Sequence, residues 1–119
     1  MTNFSIITIS REIESYGDEI AEQLSRTLKM ELVDKEKFVS LLGELSPQLP
    51  TEPPRGEKER DLWVKKVRSL LEQRTSQKPF ILLGRGGQKI LENCPLAFHV
   101  LVVASQVTRL YRMMEKYKQ

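Results

Sequence analysis

The chain has 119 residues, 39% of them hydrophobic, and Lys+Arg 19 against Asp+Glu 16 gives a formal charge of +3. This length fits one domain spanning residues 1–119, with a core of modest stability. The two signs of charge are interspersed with no long run of cations, and no apolar stretch is long enough to span a membrane. A nucleic-acid-binding module is therefore a distant alternative, and a cytoplasmic protein is the expectation.

Phe4–Ser10 is rich in β-branched residues and apolar on both faces, as a buried parallel strand requires. A helix is expected from Gly17 to Lys29, with Ile20, Ala21, Leu24 and Leu28 forming its apolar stripe. Glu31–Val33 is a short strand. Asp34 stands at the N-cap position of a helix over Lys35–Leu45, which aligns Phe38, Leu41, Leu42 and Leu45. Four prolines make Ser46–Gly56 an irregular loop.

A long helix follows over Glu57–Gln77, with Trp63, Val67, Leu70 and Leu71 along one side and Leu62 at its edge. Trp63 reads as core. Phe80–Leu83 is a buried strand that ends in Gly84-Arg85-Gly86-Gly87, before a short helix carrying Ile90 and Leu91. Cys94, the only cysteine, excludes an intrachain disulfide and reads as an incidental turn residue. Phe98–Ala104 reads as another buried strand with a structural His99, and Gln106–Lys118 as the last helix.

Strands alternating with helices give an α/β fold with a parallel sheet and helices on both faces. Ligands of such sheets bind beyond the carboxyl ends of the strands. Arg11, Asp34, Arg85 and Ser105 follow the four strands and stand at these exits.

Three segments in order carry a resemblance to a known family. Ile7-Thr8-Ile9-Ser10-Arg11-Glu12, followed by Ser15, Gly17 and Glu19-Ile20-Ala21, is similar to the family pattern I-T-I-S-R-x-x-G-S-G-G-R-E-I-A. Val33-Asp34-Lys35-Glu36 is similar to Y-D-K-E. Ile81-Leu82-Leu83-Gly84-Arg85-Gly86, then Val100–Ala104 and Arg109, match V-G-R-G and V-x-I-x-A-x-x-x-x-R. Over nearly its whole length the chain thus resembles the cytidylate-kinase-like family. The resemblance implies a three-layer P-loop-kinase-like fold with strand order 2-3-1-4, and transfer of the γ-phosphoryl group of Mg·ATP to CMP or dCMP. It places the helix over residues 57–77 in the acceptor-nucleotide region.

By the same resemblance the phosphate loop is Arg11, Ser15, Tyr16, Gly17, Asp18 and Glu19. Asp34 and Arg85 would meet the acceptor nucleotide, and Arg109 and Arg112 would face ATP phosphates from the lid side. The family's G-S-G-G is Glu14-Ser15-Tyr16-Gly17 here, and Asp18 replaces its usual Arg. Glu14, Asp18 and Glu19 then surround the phosphate position, where like charges about 4 Å apart repel by roughly 4 kcal/mol at an effective dielectric of about 20. Acids in a first helical turn also serve the helix dipole. Arg11 is a candidate anion contact and Glu19 a candidate magnesium ligand; no metal site is assigned.

The family continues past the point of Gln119 into lid helices and a fifth strand. Either this chain is a piece of a longer protein, or the sheet edge at Phe98–Ala104 is covered by a second copy or a partner chain. The altered loop favours a nucleotide-binding-fold protein with weak or no phosphoryl transfer and no further cofactor. The alternative is an active CMP/dCMP kinase using Mg·ATP.

Overall fold

In the computed structural model, which describes residues 5–117, four strands form one parallel sheet. They are β1 (Ile6–Arg11), β2 (Glu31–Val33), β3 (Phe80–Leu83) and β4 (Ala97–Val102), in the order β2-β3-β1-β4. The helices are α1 (Gly17–Leu28), α2 (Lys35–Leu45), α3 (Glu57–Thr75), α4 (Gly87–Ile90) and α5 (Gln106–Tyr117). Phe4 and Lys118, expected inside the first strand and last helix, lie outside the described residues.

The register aligns Ile9 with both Leu83 and Val100, and Thr8 with Leu82 and His99. Period-two alternation then splits the sheet into two cores. On one face Ile6, Phe80 and Leu82 pack with Phe38, Val67 and Leu71 of α2 and α3. On the other, Ile9, Ile81 and Leu83 pack with Ala21 of α1. Each such side chain contributes about 1.5–3 kcal/mol when fully buried, so β1 and β3, buried on both faces, anchor the fold. Trp63 is core as expected, and its Nε1 donates to the Pro50 carbonyl at 2.8 Å, tying the proline-rich loop to α3. Cys94 lies in a turn as expected, its N–H donating to the Leu91 carbonyl at 3.0 Å, and its side chain packs into the first core.

Several expectations need correction. The stripe of α1 is only partly used: Ala21 is buried, while Ile20 and Leu28 are exposed. Leu24 and Leu28 instead line an open apolar groove with Ile7, Met30 and Val100. Helix α3 ends at Thr75, two residues before Gln77, where Thr75 Oγ1 donates to the Ser5 carbonyl and Pro79 disfavours further helix. Leu62 is exposed on this helix.

Strand β4 ends at Val102 rather than Ala104 and is not buried. It pairs with β1 alone among the described strands; Val100 and Val102 pack partly against the second core, while Leu101 is 62% exposed and Val103, just past the strand, 60% exposed. The Ala104 N–H leaves the ladder to donate to Glu12 Oε1 at 3.3 Å, which turns the chain into α5. His99 is held structurally, its Nδ1 2.6 Å from Thr8 Oγ1. No helix among the described residues is long and apolar enough to cross a membrane.

Candidate phosphate-loop site

The chain leaves β1 toward β2 on one side and leaves β3 toward β4 on the other, while β1 and β3 are neighbours. Their carboxyl ends therefore flank the switch point, where open α/β sheets bind ligands. The loop 12–16 rises from one strand and the turn 84–86 from the other.

Arg11 fills the crevice between them. A Cβ on Gly17 would collide with its Cβ and lie 2.6 Å from its Cγ, and a Cβ on Gly84 would lie 2.6 Å from its Nη1. Glycine at both positions is what lets the side chain pass. At its end, Arg11 Nε donates to Asp18 Oδ1 at 2.6 Å. The acid that replaces the resembling family's arginine is thus paired, and Arg11 is tied to it rather than held free for a ligand.

The loop carries left-handed backbone at Glu14 (φ 57) and Tyr16 (φ 66), the positions of two glycines in the resembling pattern. Non-glycine residues pay roughly 1–2 kcal/mol for that conformation. The turn survives although the residue type that suits it is gone. Gly17 then opens α1, whose first amides have no intrahelical partner, with Asp18 and Glu19 in the first turn. Ser15 is 6% exposed, and its Oγ has no hydrogen-bond partner among the described residues. A buried hydroxyl left so costs about 1–3 kcal/mol. It lines an open cavity of about 530 Å³, together with Arg11, Tyr16, Asp18, Glu19 and Lys116.

Helix α5 reaches this cavity through Lys116, while its Arg109 and Arg112 hold the loop from outside the lining. Arg109 Nη2 lies 3.6 Å from Glu12 Oε2 and its Nε donates to the Ala104 carbonyl at 3.1 Å. Arg112 Nη1 donates to the Glu14 carbonyl at 2.7 Å, and its guanidinium lies 3.6 Å from the centroid of the Tyr16 ring. Lys116 Nζ donates to Glu14 Oε1 at 3.2 Å. The hydrogen bond to Glu14, followed by the charges of Glu14 and Tyr117, raises the Lys116 pKa. The arginines expected to meet ATP phosphates are therefore engaged by the loop itself. Lys116 was not anticipated; its signal is the spacing 109, 112, 116, which puts three cations on one helical face.

The expected repulsion around the phosphate position is smaller than three bare acids imply, because Asp18 and Glu14 are both ion-paired. Arg85, at φ 58 between Gly84 and Gly86 (both φ 69), is exposed and makes no ion pair among the described residues. It is not among the residues lining the cavity. Asp34 caps α2, its carboxylate accepting from the Lys37 amide at 3.0 Å. Among the described residues no three His, Cys, Asp or Glu side chains converge on a metal position. Glu19, the candidate magnesium ligand, lines the cavity together with Ser15.

No protein-family model matches the sequence, and no curated protein matches it. Solved structures do. An uncharacterized protein from Eubacterium ventriosum ATCC 27560 superposes with a TM-score of 0.63 at 22% identity, covering 96% of this chain and 62% of that one. A sugar kinase from Janibacter sp. HTCC2649 gives 0.61 at 12% identity, covering 94% and 67%, and a gluconokinase from Sinorhizobium meliloti 1021 gives 0.55 at 14%, covering 95% and 65%. The chain thus spans less than two thirds of the length of the Eubacterium protein. At these identities the likeness shows the fold alone: a parallel α/β sheet in the order 2-3-1-4 with helices, which resembles the fold of these kinases.

Proposed function

We propose that the chain is a nucleotide-binding relative of the cytidylate-kinase-like proteins that takes a phosphate group at the loop 11–19 and transfers phosphoryl groups weakly or not at all. The observation that carries this reading is Ser15 Oγ, buried and without a hydrogen-bond partner among the described residues, beside the start of α1 in a cavity lined by carboxylates. A hydroxyl and a helix N-terminus suit a phosphate oxygen. Glu14, Asp18 and Glu19 oppose the accumulation of negative charge that a triphosphate brings. In this reading Arg85, exposed and unpaired among the described residues, grips the phosphate of an acceptor such as CMP.

Calorimetric titration with Mg·ATP and, separately, with CMP tests the reading. CMP binding that is lost in Arg85→Ala, with weak Mg·ATP binding that is lost in Ser15→Ala, supports it. Silence for both nucleotides sinks it. Tight Mg·ATP binding with turnover of CMP favours the second reading, an active CMP/dCMP kinase, for which the ordered motifs speak. A second copy of this chain packed along β4 belongs to the same proposal, because that strand ends the sheet order and leaves Leu101 exposed.

A further inference from the structure

Helix α5 buries none of its residues, and its apolar side chains Val107, Leu110 and Met114 are exposed. What holds it near the sheet is the polar face of Arg109, Arg112 and Lys116. Two of those three cations are engaged by a single loop residue: Arg112 takes the backbone carbonyl of Glu14 and Lys116 takes its carboxylate. Glu14 sits in left-handed backbone, which any side chain adopts at a cost, and it does so beside the unpartnered Ser15 hydroxyl. A strained acidic residue thus lines a cavity whose buried hydroxyl has no hydrogen-bond partner among the described residues.

We infer that Glu14 is a built-in anion of this loop, and that a polyphosphate ligand enters by exchange, taking Lys116 and Arg112 of α5 in its place. This rests on the reading of the loop as a phosphate site. The exchange opens from the Lys116 side, whose side chain is 61% exposed and so gains water when the pair parts, whereas the Glu14 side chain is 14% exposed. It is also productive, because release of Glu14 removes a like charge from the ligand's path and frees cations for it. An α5 without buried anchors can follow the ligand without unfolding the sheet. The ligand gains Ser15 Oγ, the start of α1 and the α5 cations together. Glu14 therefore sets the affinity of the site, and the cations of α5 serve the loop when empty and the phosphates when filled.

The test compares wild type, Glu14→Gln and Glu14→Gln/Lys116→Met, with inorganic tripolyphosphate as the probe and amide hydrogen exchange of α5 as a readout that needs no ligand. The thermal midpoint controls for folding. Glu14→Gln is expected to bind tripolyphosphate about fivefold more tightly than wild type, and loss of Lys116 to cancel the gain. In the absence of probe, α5 amides should exchange faster in Glu14→Gln, while those of β1 and β3 stay unchanged. Equal binding by wild type and Glu14→Gln overturns the exchange and leaves the phosphate-loop reading standing. Unchanged α5 protection in Glu14→Gln overturns it too. No binding by any variant overturns the phosphate-loop reading and the exchange with it.

Discussion

The Arg112 guanidinium carbon lies over the ring of Tyr16, 3.6 Å from its centroid, and Nη1 donates to the carbonyl of Glu14 two residues earlier. The arginine stacks on the residue that stands where the resembling pattern has glycine. This contact offsets part of the left-handed strain at Tyr16 (φ 66), since cation–π contacts at exposed sites contribute about 0.5–1 kcal/mol. A double-mutant cycle of Arg112→Ala and Tyr16→Gly should give a coupling of that size in urea unfolding. Tyr16→Gly alone should be nearly neutral, relieved strain balancing the lost stack. Additive effects would show that the stack contributes nothing to stability.

The path of Arg11 between Gly17 and Gly84 makes a sharper demand. Gly17→Ala places a methyl group on Arg11 Cβ and 2.6 Å from Cγ, an overlap next to the backbone that no rotamer relieves. We expect a loss of about 1–3 kcal/mol, as for overpacked cores. Arg11→Ala keeps the offending Cβ and should not rescue the variant, whereas Arg11→Gly should. Denaturant midpoints of the two double variants distinguish these outcomes, and rescue by Arg11→Ala would contradict the geometry.

The fold was legible because its signals are local and periodic. The β-branched run of β1, the wholly apolar Phe80–Leu83 and the Asp34 cap each specify their element without help from distant contacts. The errors fell where tertiary context decides. Phe98–Ala104 is apolar enough to be a central strand, and composition does not tell an edge from a centre; only the 2-3-1-4 order does. In the site, the loop was found from its motif, but its partners were not. Pairing of Asp18 with Arg11 spans seven positions, and pairing of Glu14 with Lys116 spans 102. A carboxylate seven residues from an arginine carries no periodic signature across a strand, loop and helix. The acids consequently read as three unpaired charges.

The exposed edge of β4 leads to a third expectation. Leu101 stands out from β4, the strand that ends the sheet order, and Val103 is exposed just beyond it. Two copies packing along β4 about a two-fold axis would cover both sets of side chains at once. Light scattering at high micromolar concentration should then report a dimer, and Leu101→Lys should shift it to monomer without lowering the thermal midpoint of the separated chain. A monomer for the unaltered chain at that concentration rules the arrangement out.

The last expectation concerns pH and follows from the direction of one shift. The hydrogen bond from Lys116 to Glu14, together with the charges of Glu14 and Tyr117, holds the Lys116 ammonium above its ordinary 10.5. For a group whose pKa is raised on folding, the stabilising contribution is fully present below the unfolded value and is lost as pH rises through the folded one. The tie between α5 and the loop should therefore be intact at neutral pH and up to about pH 10, and release only beyond. Following the Lys116 side-chain carbon resonance through alkaline titration reads this directly. Wild type should titrate above 10.5, and Glu14→Gln should fall back toward it, since the two leading causes are then gone. Coincident curves would mean that the carboxylate and ammonium do not meet in solution, and α5 would then be held to the loop by Arg109 and Arg112 alone.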